Sequence, residues 1–155
     1  MPDRTRGYAH RIDLRADVNE VWRYLTEPAC LAIWCAPQAR VDAREGGSYW
    51  FRPEPDLTRE AHIDVFQPPR RLRLIYMPMA DLPDDEGVIV DDFLLDAHNP
   101  ARADAERGTV LRLLGSGVPE TRAWETMYVR LRNGWERALL RLKASLEKSP
   151  SAPKR

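Results

Sequence analysis

The last part of the chain carries a single apolar stripe. Trp124, Met127, Leu131, Trp135, Leu139 (or Ala138), Leu142 and Leu146 recur at steps of three or four between about Arg122 and Lys148. That spacing lays side chains along one face of an α-helix, and charged residues fill the opposite face. The stripe lasts for about seven turns. A helix this long needs a broad apolar partner, which the rest of the chain must supply. It also has an irregularity. Gly134 costs roughly 1 kcal/mol relative to alanine inside a helix, and Trp135 follows it directly.

The partner is legible upstream as strands. Tyr8, His10, Ile12 and Leu14 alternate with Ala9, Arg11 and Asp13, the pattern of a half-buried strand. Asp17 with Glu20 has the spacing of a capping box, and Val18, Val21, Trp22 and Leu25 follow at helical intervals. Pro28 suits a first helical turn, so "PACLAIW" reads as a second short helix ending near Trp34. Val41 is expected to begin a short strand that ends at Gly46-Gly47, after which "SYWF" resumes extended. "REAHIDVF" and "RLRLIYM" read as strands joined by "QPPR", whose prolines forbid a helix. "ADLPDDEG" is a loop, and "VIVDDFLLDA" and "TVLRLLG" are two more strands around the polar connection "HNPARADAERG". Connections this short favour antiparallel neighbours. The expected class is α+β: a curved antiparallel sheet of six or seven strands wrapped around a long C-terminal helix, with two short helices after the first strand. One helix cannot cover such a sheet completely, so space is expected between them.

Bulk properties exclude several classes. Lys and Arg total 24, balanced by 24 Asp and Glu, and the signs alternate rather than forming the basic stripe that nucleic acid requires. No run approaches the ~18 apolar residues of a membrane span, and "MPDRTRGYAHRIDLRA" lacks the apolar core of a signal peptide. The expected location is cytoplasmic. Cys30 and Cys35 read as buried small hydrophobes rather than a disulfide. No histidine pair has zinc spacing, so neither metal nor cofactor is expected. Residues 8–148 read as one domain, with 1–7 and 149–155 as flexible termini.

"VWRYLTEPACLAIWCAP", "VDAREGGSYWF", "QPPRRLRLIY", "GTVLRLLGSG" and "GWERALLRLKASLE" occur in the order seen in the START-like (SRPBCC) helix-grip superfamily. The chain most resembles the branch named for the activator of the heat-shock-protein-90 ATPase, over about Tyr8 to Glu147. Two stretches depart from that branch. Gly115 in "LLGSGV" replaces a common histidine, and "MPMADLPDDEGVIVDD" differs from the usual threonine-tryptophan segment. The resemblance implies that the long helix lies across a sheet-lined cavity. Gly134 would then sit against sheet backbone or the short helices, at a contact a methyl group would obstruct, with Trp135 as a wall. Ordinary packing is the alternative: a core tryptophan beside a tolerated defect.

The candidate lining is largely aromatic and apolar: Trp34, Tyr49, Phe51, Tyr76, Phe93, Leu111, Leu113, Trp124, Met127, Leu131 and Trp135. Around residues 48–52 the phase is ambiguous, since Trp50 would serve in the other register. Tyr76 shares a face with Leu72 and Leu74, so its hydroxyl either reaches a ligand or sits wet at its tip. Asp91 shares a phase with Phe93, Leu95 and Ala97. It either faces the cavity, where desolvation would raise its pKa, or lies wet with Asp92 beyond the sheet rim. The second is the commoner fate of a carboxylate. His10 is expected as a hydrogen-bonded core residue, His62 as outward-facing and His98 as solvated. Ser116 lacks a nucleophile-elbow context, and no base–nucleophile pair is evident.

Three functions are compatible with these residues. The first is a protein binding a hydrophobic or aromatic small molecule. The second is an enzyme of the cyclase or aromatase type, with Tyr76 and Asp91 moving protons. The third is a chaperone ATPase regulator. It ranks last, because residues 1–7 leave no room for the N-terminal domain of the eukaryotic activators, whose asparagine- and tryptophan-rich motif is missing. A chaperone partner is therefore not expected, whereas an edge strand could pair two copies into a homodimer.

Overall fold

The predicted helices and all but one of the predicted strands form, and most boundaries fall where the local chemistry places them. The computed structural model describes residues 4–83, 88–98 and 108–148. Strand β1 (Thr5–Leu14) leads into α1 (Val18–Thr26) and α2 (Pro28–Trp34). Asp17 caps α1 by accepting from the Asn19 N–H at 3.0 Å, and Pro28 occupies the first turn of α2. Strands β2 (Gln38–Val41), β3 (Ser48–Glu54), β4 (Leu57–Gln67), β5 (Arg71–Tyr76), β6 (Val90–His98) and β7 (Gly108–Pro119) follow. A single 3₁₀ turn (Arg122–Trp124) then enters the long helix α3 (Glu125–Lys148).

All seven strands form one antiparallel sheet in the order β1-β7-β6-β5-β4-β3-β2. Strands β2 to β7 run as a continuous meander, and the α1–α2 pair carries the chain between its two edges. Helix α3 lies along β1. The Tyr128 hydroxyl donates to the Gly7 carbonyl near one end, and the Lys143 ammonium donates to the Asp13 carbonyl near the other. The helix also packs on α2.

Several expectations are corrected. Strand β2 ends at Val41 rather than beginning there, and residues 42–47 form the corner, where Gly46 takes φ +84°. Strand β1 begins at Thr5, paired with Pro119, so residues 5–7 belong to the sheet rather than to a loose terminus. The expected flexible termini at residues 1–3 and 149–155, and parts of the "ADLPDDEG" and "HNPARADAERG" connections, lie outside the described residues. On α3, Tyr128 takes the buried position expected of Met127, which is half-buried. A 3.6-residue period reaches back from Leu131 to either residue, and Tyr128 has a carbonyl for its hydroxyl. His10 is half-buried beside Tyr8, and its Nε2 has no hydrogen-bond partner among the described residues. His62 and His98 are exposed.

The ambiguity at residues 48–52 resolves cleanly. Tyr49 and Phe51 point inward and are buried, while Trp50 faces out under the Arg40 guanidinium, 4.1 Å from the ring centroid. Cys30 and Cys35 are buried free thiols. Burial pushes the Cys35 thiol up to about 12, with Arg59 and Arg141 opposing.

Candidate functional site

Strand β6 alternates as its sequence requires. Asp91, Phe93 and Leu95 face inward, whereas Asp92 turns outward to meet Arg71 across the strand pair. Asp91 is therefore interior, with no exposed surface, rather than wet at the rim. Its burial is tolerated because donors surround it. The Tyr8 hydroxyl donates to Oδ1 at 2.6 Å, and the Tyr76 hydroxyl donates to Oδ2 at 2.7 Å. The Trp135 indole N–H reaches Oδ2 at 3.2 Å, and Arg59 Nη1 lies 3.5 Å from the same oxygen.

Each donor arrives from a different element. Tyr8 stands on β1, opposite Gly115 of β7, which in turn stands opposite Asp91 of β6. A Cβ at Gly115 would lie 2.3 Å from the Tyr8 ring. The missing side chain lets the phenol cross the intervening strand and reach the carboxylate. Gly115 is thus matched to Tyr8. Tyr76 comes from β5, and its ring supports the Arg59 guanidinium, with Cζ 3.8 Å from the centroid. Trp135 comes from α3, so one hydrogen bond ties the long helix to the sheet network.

This network also sets the protonation of its phenols. Burial pushes the Tyr8 and Tyr76 phenols well above their ordinary range, and the Asp91 charge adds to it, while Arg59 pulls down. Both tyrosines thus remain proton donors to Asp91 at neutral pH.

Next to the network a recess of about 400 Å³ opens between the end of α2, strands β3 and β4, and one flank of α3. Trp34, Phe51, Leu57, Leu131, Trp135 and Ala138 form its apolar part, and Arg59 stands in its wall. The other ionisable side chains on the wall besides Cys35 are Glu54, Arg130, Arg137 and Arg141. Arg130 pairs with Glu54 and Asp56, and Arg141 Nε donates to the Trp34 carbonyl at 3.0 Å. Gly134 also lines the recess, and a Cβ there would meet nothing within 4 Å. The expected close contact at Gly134 is absent; the glycine borders open space.

Of the residues predicted to line a cavity, Trp34, Phe51, Leu131 and Trp135 stand on this wall. Tyr76 and Asp91 lie behind Arg59 in the polar network. Tyr49 is a core residue whose hydroxyl donates to the Leu25 carbonyl at 2.6 Å, and Phe93 packs edge-on against Trp135. Leu111, Leu113 and Trp124 are buried in the core and Met127 is half-buried, all away from the recess. The reason is the course of α3. It lies along β1 and closes over that side of the sheet, and the recess opens on the flank facing β3, β4 and α2. Arg59 escaped notice in the sequence. Its signal was strand parity, since Arg59, Ala61 and Ile63 are all buried on one face of β4.

A meandering antiparallel sheet closed by one long C-terminal helix, with a recess beneath the helix, defines the START-like helix-grip class. The family model described as "Activator of Hsp90 ATPase homolog 1-like protein" matches residues 15–147, and the chain belongs to that family. Among solved structures, CalU16 from Micromonospora echinospora is 26% identical, with TM-score 0.68 over 95% of this chain and 78% of that one. Protein MLL2253 from Mesorhizobium loti is 18% identical, with TM-score 0.74 over 93% and 98%. The Aha1 dimer from Colwellia psychrerythraea is also 18% identical, with TM-score 0.70 over 94% and 98%. No curated protein matches the chain. Among the described residues no helix is long and apolar enough to cross a membrane.

Proposed function

We propose that the protein binds an apolar or aromatic small molecule in the recess beside Arg59. The observation that carries this reading is the meeting of Trp34, Phe51 and Trp135 on the wall of a space of about 400 Å³. That volume falls in the range of small-molecule pockets, which are mainly apolar with a few placed polar groups. Aromatic walls favour flat apolar guests through area burial and ring stacking. Gly134 supports the reading too, because a side chain there would project into the space.

The proton-transfer alternative has less behind it. Tyr76 and Asp91 are engaged with each other behind Arg59, and burial holds the Tyr76 phenol well above its ordinary range. Native mass spectrometry of freshly purified protein, before and after mild organic extraction, tests the binding reading. The expected result is a bound mass that extraction removes, or, for an initially empty protein, uptake of an added naphthyl probe that quenches tryptophan fluorescence. An apo mass together with no probe uptake would end the proposal.

A further inference from the structure

We infer that the ligand of this recess carries a carboxylate, which docks on the Nε–H/Nη2–H edge of Arg59 while its apolar body lies against Trp34, Phe51 and Trp135. The inference rests on the binding reading above and specifies its ligand class.

Arg59 is 2% exposed; its Nη1 lies 3.5 Å from Asp91 Oδ2, and its guanidinium stacks on the Tyr76 ring and interacts with the Tyr8 hydroxyl. Its Nε and Nη2 have no hydrogen-bond partner among the described residues. Leaving buried charged donors unmade is costly, and these two lie on one edge of a planar group, parallel to each other. That edge fits the two oxygens of a carboxylate. The chain already uses this geometry elsewhere: Arg71 grips Asp92 through Nε at 3.1 Å and Nη2 at 2.8 Å.

Asp91 does not supply the missing acceptor, since neither Nε nor Nη2 hydrogen-bonds to it. Its Oδ1 is taken by Tyr8, and its Oδ2 by Tyr76, Trp135 and the distant Nη1 of Arg59. The recess wall as a whole favours an anion, with four arginines against Glu54. Arg130 is occupied by two carboxylates, whereas Arg59 stands beside the aromatic wall.

The test is calorimetric titration of the full chain with 2-naphthoate and with its neutral amide, 2-naphthamide. Nitrogen-15 spectra of the Trp34 and Trp135 indoles locate the binding. The expected result is naphthoate binding about tenfold tighter than the amide, with both indole signals moving. Arg59→Lys keeps the charge but loses the fork, and should reduce that preference to roughly twofold or less. Should this variant fail to fold, the Arg59→Met/Asp91→Asn double variant, which removes both buried charges, should abolish the preference while still binding the amide. Equal affinity for acid and amide in the unchanged protein would overturn the carboxylate and leave the apolar-binding reading standing. Binding of neither would overturn both. A preference retained in Arg59→Lys but lost in Arg137→Gln would move the anion to the rim and refute the assignment to Arg59. Tighter binding of naphthyl phosphate than of naphthoate would refute the carboxylate as the anion.

Discussion

Replacing Gly134 by alanine should make this protein more stable, although the position lies in the middle of its main packing helix. Two quantities set the size of the effect. Alanine in a helix interior is favoured over glycine by about 0.8–1.0 kcal/mol, chiefly because the unfolded chain loses less freedom on folding. The opposing steric cost is absent, since a Cβ at this position meets nothing within 4 Å. The expected gain is therefore nearly the whole propensity difference, about 1 kcal/mol, or roughly 2–4 °C in Tm for a chain of this size. Urea denaturation followed by tryptophan fluorescence measures it as a shift in midpoint at constant slope. The same variant should bind a naphthyl probe more weakly, because its methyl group enters the recess. A loss of stability would refute the reasoning, since it would mean that the helix closes on a neighbour at Gly134. A gain in stability with unchanged probe affinity would separate the glycine from the recess.

The same chemical change at Gly115 should have the opposite sign. A Cβ there would lie 2.3 Å from the Tyr8 ring, so Gly115→Ala should cost about 1–3 kcal/mol by overpacking, read in the same urea experiment; a neutral result would mean that Tyr8 does not need to cross β7. Asp91→Asn leaves the Arg59 guanidinium buried without its counter-charge, and breaking a buried pair from one side costs about 3–5 kcal/mol. Tyr76→Phe removes one donor to that carboxylate and should cost about 1.5–3 kcal/mol, so a midpoint shift as large as that of Asp91→Asn would contradict the shared-donor arrangement. At high pH the sign follows from the raised phenol pKa values. Burial first, and Asp91 second, raise Tyr8, and burial is also the largest cause for Tyr49 and Tyr76. Their stabilisation is complete below the unfolded tyrosine value of about 10 and is lost as pH rises above it. Absorbance at the tyrosinate band should show these three ionising only with unfolding, and Cys35 should resist thiol reagents in the native state at pH 8; early titration of all five tyrosines would contradict the buried network.

Much of this was legible in the sequence because periodicity reports burial directly. Alternation in "YAHRIDL" placed β1, the three-and-four stepping from Trp124 to Leu146 placed α3, and Pro28 started α2, since each follows from local geometry. The aromatic wall was half legible for the same reason. Phase makes Leu131 and Trp135 inward and leaves Phe51 open against Trp50, and it cannot distinguish an inward side chain that meets space from one that meets another side chain. Leu111, Leu113 and Trp124 have the right parity and yet are sealed, because α3 lies along β1 and closes over that side of the sheet.

Strand parity reaches the single members of the polar network but not their meeting. Asp91, Tyr8, Tyr76, Arg59 and Trp135 come from four strands and a helix, and Tyr8 and Asp91 alone are 83 residues apart. Taken singly, a carboxylate after "VIV" or an arginine before "EAHID" is more cheaply left in water than buried. Only the assembled sheet reverses that preference, by bringing the donors to the acid and leaving Gly115 bare so that Tyr8 can reach it. Local patterning therefore determined the elements and their inward faces. Tertiary structure decided which inward positions are filled, which border the recess, and which charge could be buried at all, because those depend on neighbours distant in the chain.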